Sequence, residues 1–169
     1  RSLPAPITLE QMDAYLDASF VTYTGVSELI EWCLNHHILF MINTTGMTGY
    51  FQRMFAKDLL PNIPVLSAHP MIRFEPCESD PPTILDLMEI QDKAAHTQHV
   101  VNSLRIPADK VILMGDSGGD GPHFEWGAKN EAYLIGSMTK PSLTNYCSKK
   151  KIEINLLFGP AYANSEETN

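Results

Sequence analysis

The stretch LMGDSGGDGPH, residues 113–123, places an acidic, glycine-rich loop directly after an apolar segment. The run VILMG, residues 111–115, is a continuous apolar block without alternation, which is typical of a parallel strand buried on both faces. Asp116 and Asp120 follow this block, and the glycines around them permit tight turns. Because ligands of open α/β sheets bind beyond the carboxyl ends of the strands, we expect a functional site at this loop.

Further apolar blocks alternate with helical patterns along the chain. Apolar residues at helical spacing predict helices over 26–36, 47–57 and 94–104. The predicted strands are 38–43, 65–67, 71–75, 111–115, 132–137 and 154–158. Strands that alternate with helices indicate an α/β protein with a mainly parallel sheet, arranged as a Rossmann-like three-layer sandwich.

The composition is that of an acidic globular chain. The 169 residues carry a formal net charge of −8, and 44% of them are hydrophobic. This charge argues against a nucleic-acid partner or an anionic membrane surface, and no apolar run approaches the roughly 20 residues of a membrane helix. Three isolated cysteines, Cys33, Cys77 and Cys147, predict buried, reduced thiols and a cytoplasmic location. The oligomeric state is not indicated.

The segment GDSGG, residues 115–119, is also similar to the nucleophile loop of chymotrypsin-like serine proteases. Those proteases are all-β proteins, whereas the present pattern is α/β. His96, the candidate base, precedes Ser117 by only 21 positions and falls in a predicted helix. Asp120 stands where those proteases have proline. The α/β context therefore disfavours the protease interpretation.

A nucleotide- or flavin-binding protein is another class that an open α/β sheet permits. No GxGxxG motif follows the first predicted strand, and no GxxxxGK[ST] motif occurs in the chain. A redox function that depends on such a cofactor is therefore disfavoured.

The acidic loop and two upstream segments together resemble the haloacid dehalogenase (HAD) superfamily. GDSGGD, residues 115–120, is similar to the fourth motif of that superfamily, in which two carboxylates help to hold Mg²⁺. Lys93 precedes Asp116 by 23 positions and resembles the lysine of the third motif. ILFMINTTG, residues 38–46, resembles the second motif, an apolar strand that ends in a hydroxyl residue. The resemblance extends over residues 22–158 and implies a HAD-like core.

The resemblance implies a phosphoserine-phosphatase-like hydrolase that acts on a small phosphate monoester through an aspartyl-phosphate, with Mg²⁺ as cofactor. Asp116 and Asp120 would bind the metal. Lys93 and Thr44 would be catalytic, with Asn43 as the alternative to Thr44, and amides of the acidic loop would add hydrogen bonds. The residues expected to contact the substrate are Asn43, Thr45, Gly46, Ser117 and His123.

Each of these residues also has a structural interpretation. Asp116 and Asp120 could cap a following helix, where aspartate is common. Thr44 is of a type that often ends a strand, and Lys93 of a type that often begins a helix. His123 could line the site or touch the leaving group, or it could be an ordinary surface or hydrogen-bonded histidine.

One motif of the superfamily is missing, because the sequence contains no Asp-x-Asp. The first aspartate of that motif attacks phosphorus. Asp13 and Asp17 have the wrong spacing and lie in a helical pattern. We expect either a fragment whose nucleophile and most of whose cap lie upstream, or a short form that binds a phosphorylated ligand or a partner protein without turnover. Residues 1–21 are then a cap remnant or linker, residues 22–160 the core and residues 161–169 a flexible tail.

Overall fold

The computed structural model describes residues 6–138 and 140–159. They belong to two compact units that divide between Met88 and Glu89. Each unit contains a three-stranded sheet in which neighbouring strands pair in parallel. The predicted α/β class with parallel strands is therefore confirmed, and the strands are divided between two sheets.

The first unit combines three helices with a sheet of strand order β1-β2-β3 in its described part. Its elements are α1 (Leu9–Ser19), α2 (Val26–Asn35), β1 (Met41–Met47), α3 (Thr48–Ala56), β2 (Val65–His69) and β3 (Thr83–Asp86). Thr8 caps α1, because its hydroxyl accepts a hydrogen bond from the amide of Gln11. Met12 and Leu16 of α1 are buried with Ile30 and Phe55 in the core of this unit. Thus α1, part of the predicted cap remnant, contributes to the core.

Two predictions for the first unit are wrong. The strand predicted at 71–75 is absent, and the third strand is instead Thr83–Asp86. The backbone of the 71–75 segment is paired elsewhere: the amide of Gly49 donates to the carbonyl of Ile72, and the side chain of Gln52 bonds both backbone groups of Phe74. These bonds replace the ladder that a strand would need.

The second wrong prediction concerns residues 44–46, because the sequence predicts that the first strand ends at residue 43. Strand β1 continues through them to Met47, and its pairing with β2 is irregular between Asn43 and Met47. Within this irregular segment the hydroxyl of Thr44 accepts a hydrogen bond from the amide of Gly46. A polar side chain can thus lie within a strand where the regular ladder is interrupted.

The second unit has the strand order β4-β5-β6. Its elements are α4 (Asp92–Ser103), β4 (Ile112–Gly115), α5 (Gly121–Lys129), β5 (Tyr133–Ser137), α6 (Pro141–Lys150) and β6 (Leu156–Phe158), with short 3₁₀ turns at Ala108–Lys110 and Gly118–Asp120. The helix predicted at 94–104 and the three strands predicted from residue 111 onward are thus present, and each end lies within two residues of the predicted one.

Strand β4 is buried on one face only, which contradicts the prediction for VILMG. Leu113 lies in the core of the unit with Phe124 of α5, Leu134 of β5 and Leu143 of α6. Ile112 and Met114 are more than half exposed. An apolar run therefore did not distinguish a strand covered on one face from one covered on both.

Two further predictions concern the burial of the cysteines and the lack of a membrane-spanning helix. Cys33 and Cys147 are buried, as expected, whereas Cys77 is exposed. None of the helices in the described part of the chain has the length and apolar character that crossing a bilayer requires. The predicted tail, residues 161–169, lies outside the described residues.

Candidate functional site

The loop after β4 is held in place by the carboxylate of Asp120. Oδ2 of this carboxylate accepts hydrogen bonds from the backbone amides of Asp116 at 3.0 Å and Ser117 at 3.3 Å. The hydroxyl of Ser117 in turn accepts a bond from the backbone of Asp120, which completes a reciprocal cap of the 3₁₀ turn. Asp120 is 6% exposed. The aspartate that was predicted to bind a metal therefore determines the shape of the loop.

Lys93 completes this arrangement from the first turn of α4. Its Nζ lies 2.5 Å from Oδ1 of Asp120, and both side chains are 9% exposed. A buried ammonium and a buried carboxylate require each other, since either one alone would carry a large desolvation penalty. The structure thus brings together Lys93 and Asp120, two residues that the sequence placed at one site.

Asp116 differs from Asp120 in being open to solvent. Its side chain is 57% exposed, and Nζ of Lys140 lies 3.9 Å from its Oδ2. It directly follows β4, so its carboxylate extends from the carboxyl end of a parallel strand, where ligands of α/β sheets bind.

Two glycines make this close packing possible. A Cβ on Gly115 would lie 2.8 Å from the ring of Phe124 and 2.9 Å from Cβ of Asp120. A Cβ on Gly121 would lie 2.6 Å from the ring of Tyr146. Real Cβ atoms do not approach other atoms this closely, so these positions exclude larger residues.

His123 is buried between α4 and α5. Its Nε2 lies 2.8 Å from the hydroxyl of Thr97, and the residue is 7% exposed. The pKa of His123 is lowered from 6.5 to about 4, chiefly because burial disfavours the charged imidazolium; the positive charge of Lys93 contributes to this shift, and Asp120 opposes it. The imidazole is therefore neutral at pH 7. The structure thus shows a buried, hydrogen-bonded histidine, and its predicted contact with substrate stays a prediction.

A further polar contact links the same two helices. The indole nitrogen of Trp126 donates to the side-chain carbonyl of Gln98 at 2.9 Å. Together with the bonds of Lys93 and His123, this contact fixes α4 against the loop and α5. The position of the Lys93 ammonium is therefore set by the packing of a whole helix.

Three backbone amides of the loop donate hydrogen bonds to side chains of the protein. Those of Asp116 and Ser117 donate to Asp120, and that of Gly118 donates to the hydroxyl of Ser142 at 3.0 Å. The resemblance implies that loop amides bond the phosphate. These three amides are engaged within the protein instead.

The remaining predicted residues lie in the first unit, on β1. The hydroxyl of Thr44 accepts the bond from Gly46 and keeps its own hydrogen as a donor. Asn43 is half-buried and Thr45 is exposed. The predicted roles of these four residues, Asn43, Thr44, Thr45 and Gly46, stay predictions.

Asp13 and Asp17, the two carboxylates considered as nucleophiles, attach α1 to α3. Asp13 forms a two-bond ion pair with Arg53, with distances of 2.7 and 2.9 Å, and this pairing lowers the pKa of Asp13. Asp17 lies 2.8 Å from Nζ of Lys57. Both are helical residues that bind a basic partner, which fits a structural role.

The loop offers one solvent-exposed carboxylate, that of Asp116. Within residues 6–138 and 140–159, no three His, Cys, Asp or Glu side chains come together as a metal site. Mg²⁺ is commonly held by one or two carboxylates, with water and phosphate oxygens completing the shell. Asp116 can supply one such carboxylate. Asp120 could bind the metal directly only by giving up its present bonds.

Three residues that pack near the loop were not predicted from the sequence: Thr97, Lys140 and Ser142. Lys140 and Ser142 follow the carboxyl end of β5, the strand next to β4. Polar residues after a neighbouring parallel strand are a usable signal, because such ends meet at one edge of the sheet. Thr97 gave no comparable signal, since a threonine within a helix is unremarkable in sequence.

Comparison with known proteins identified no relative: no family model, curated protein or solved structure matches the chain. The resemblance to the HAD superfamily therefore still depends on the motifs alone.

Proposed function

We propose that the second unit carries the divalent-cation and phosphate site of a HAD-like phosphohydrolase that acts on a small phosphate monoester. One observation carries this proposal. The buried pair of Lys93 and Asp120 holds the loop that presents Asp116 at the carboxyl end of β4. This pair fixes the loop in the conformation that leaves the carboxylate of Asp116 exposed.

The residues of this site have separable tasks. Asp116 supplies the exposed carboxylate for the cation. Lys93 bonds one oxygen of Asp120, whose other oxygen accepts the two loop amides, and so helps to preserve the loop conformation. Bound Mg²⁺ would offset the negative charge of the phosphate ester. In phosphoryl transfer, positioning and charge neutralisation of this kind account for most of the catalysis that a protein provides.

A second candidate is a protein that binds a phosphorylated ligand without turning it over. The specific observation in its favour is the absence of an Asp-x-Asp motif in the 169 residues. The paired states of Asp13 and Asp17 add to it, because a nucleophilic carboxylate must be available to attack phosphorus.

The first experiment measures Mg²⁺ binding to the purified chain by calorimetry, with Asp116→Asn as the test variant. Asp109→Asn is the matched control: Asp109 is 58% exposed and lies 3.9 Å from Lys110, so it matches Asp116 in exposure and in its distance to a lysine. We expect Asp116→Asn to abolish Mg²⁺ binding and Asp109→Asn to leave it unchanged. Equal binding by both variants would reject the proposed metal site.

Hydrolysis of p-nitrophenyl phosphate with Mg²⁺ then separates the two candidates. Turnover that disappears in Asp116→Asn and persists in Asp109→Asn would establish the hydrolase. Binding of Mg²⁺ and inorganic phosphate without turnover would establish the binding protein.

A further inference from the structure

Lys140 is a second lysine beside the acidic loop, and its environment is unlike that of an ordinary surface lysine. Its Nζ lies 3.9 Å from Asp116, and its side chain is 25% exposed. Lys110 lies at the same distance from Asp109 but is 72% exposed. The side chain of Lys140 is therefore packed against the protein along most of its length, whereas that of Lys110 extends into solvent.

The start of α6 places Lys140 at this position. It directly precedes α6, which begins at Pro141, and proline favours the first helical position because its φ is already fixed. One residue further on, the hydroxyl of Ser142 accepts the hydrogen bond from the amide of Gly118. This bond ties the start of α6 to the acidic loop, so Lys140 and Asp116 are held close by the backbone.

The two carboxylates of the loop are unequal targets for a cation. Asp120 already bonds Lys93 and two backbone amides, and it is buried. Asp116 is exposed and contacts only the ammonium of Lys140 among the ion pairs of the described residues. A divalent cation that enters the loop must therefore approach the carboxylate beside which Lys140 already lies.

Two positive charges at one carboxylate repel each other, and the repulsion is considerable at separations near 4 Å even at high dielectric. A divalent cation on Asp116 thus disfavours the present position of Lys140. The displaced ammonium remains within reach of the same loop, because the start of α6 is fixed there. An anion bound to the cation, such as a phosphate group, is then the nearest group of opposite charge.

We propose that Lys140 exchanges between Asp116 and the substrate phosphate, so that it opposes binding of the cation alone and favours binding of the phosphate once the cation is present. This inference rests on the proposed function, because it takes Asp116 as the cation ligand. It assigns to Lys140 the role of a residue that determines affinity and couples two ligands.

The test compares Lys140→Gln with Lys110→Gln by calorimetry on the whole chain. Both variants remove one positive charge that lies 3.9 Å from an aspartate, so they match in net charge and in that distance and differ in the burial of the lysine. Mg²⁺ is titrated alone, and inorganic phosphate is titrated in the presence of saturating Mg²⁺. Asp116→Asn is measured alongside.

We expect Lys140→Gln to bind Mg²⁺ about three- to ten-fold more tightly than the wild type and to bind phosphate more weakly by a similar factor. Lys110→Gln should match the wild type in both titrations. If Lys140→Gln behaves like Lys110→Gln in either titration while Asp116→Asn still loses Mg²⁺, the exchange is refuted and the metal site stands. If Asp116→Asn binds Mg²⁺ as the wild type does, the proposed function itself fails.

Discussion

Asp120 shows how one side chain can serve an ion pair and a loop at the same time. One of its oxygens faces Lys93, and the other accepts bonds from two backbone amides. These bonds use the directions from which a carboxylate would otherwise bind a metal. Asp116 is the exposed carboxylate of the loop. Two aspartates that look equivalent in sequence therefore have different roles in the structure.

This arrangement predicts a large loss of stability for Asp120→Asn. The neutral amide leaves the buried ammonium of Lys93 without its counter-charge, which costs about 3 kcal/mol in the free energy of unfolding. Urea denaturation of the wild type and the variant measures this difference. The double variant Lys93→Met/Asp120→Asn should lose less than the two single variants added together, because it leaves no isolated buried charge. A loss below about 1 kcal/mol in the single variant would mean that the pair is less buried than the structure shows.

His123 predicts a specific dependence of stability on pH. Its pKa is about 4 in the folded protein, whereas an unperturbed histidine has a pKa of 6.5, so the unfolded chain takes up the proton first as pH falls. The contribution is complete above about pH 6.5 and is lost as pH falls toward 4, amounting to about 3 kcal/mol in total. The difference in unfolding free energy between the wild type and His123→Gln should therefore shrink across this range.

The control for this prediction is His99→Gln, which alters a histidine on α4 that is less buried than His123. If the pH profile of stability of His123→Gln follows that of the wild type as closely as the profile of His99→Gln does, His123 is not held neutral by burial.

At the scale of elements, the contact between α5 and α6 depends on the absence of a side chain at Gly121. The residue has ordinary helical angles, with φ −52° and ψ −52°, so alanine would meet no backbone strain there. The obstacle is the ring of Tyr146, which lies 2.6 Å from the position of an added Cβ. Alanine is therefore disfavoured at this position by steric contact alone.

We therefore expect Gly121→Ala to lower the free energy of unfolding by about 1–3 kcal/mol, the usual cost of overpacking. Gly119→Ala is the matched control, because a Cβ there would meet its nearest atom at 3.6 Å. That variant should be neutral or slightly stabilising, since alanine restricts the unfolded chain. Thermal unfolding followed by circular dichroism distinguishes them, and equal effects would contradict the steric argument.

The sequence predicts no helix at α5 or α6, and it misplaces one strand. Local apolar spacing located α2 and α3 to within a residue of their observed ends. A strand depends on partners far along the chain, and the apolar segment at 71–75 bonds Gly49 and Gln52 instead of another strand. The segment that does pair, Thr83–Asp86, is short and follows two prolines, so it offered little signal.

At the scale of the whole molecule, sequence order predicted the parallel α/β class but not the division of the strands. The alternation of strands and helices sets the direction of each strand, whereas strand neighbours are set by packing. The sequence likewise predicted only some of the residues that come together at the site. Lys93, Asp116 and Asp120 were found through motif spacing, whereas Lys140 and Thr97 are brought to them by β5, α6 and α4.

The proposed cation site also predicts how the whole molecule responds to Mg²⁺. A ligand that binds only the folded state stabilises it by mass action, by about 2.7 kcal/mol at a hundred times its Kd. We expect Mg²⁺ to raise the Tm of the wild type and of Asp109→Asn in step with its concentration. Asp116→Asn should show no such rise, because its amide oxygen is a much weaker ligand for a hard cation. An equal rise in all three proteins would place the stabilising ion elsewhere and remove Asp116 from the proposed site.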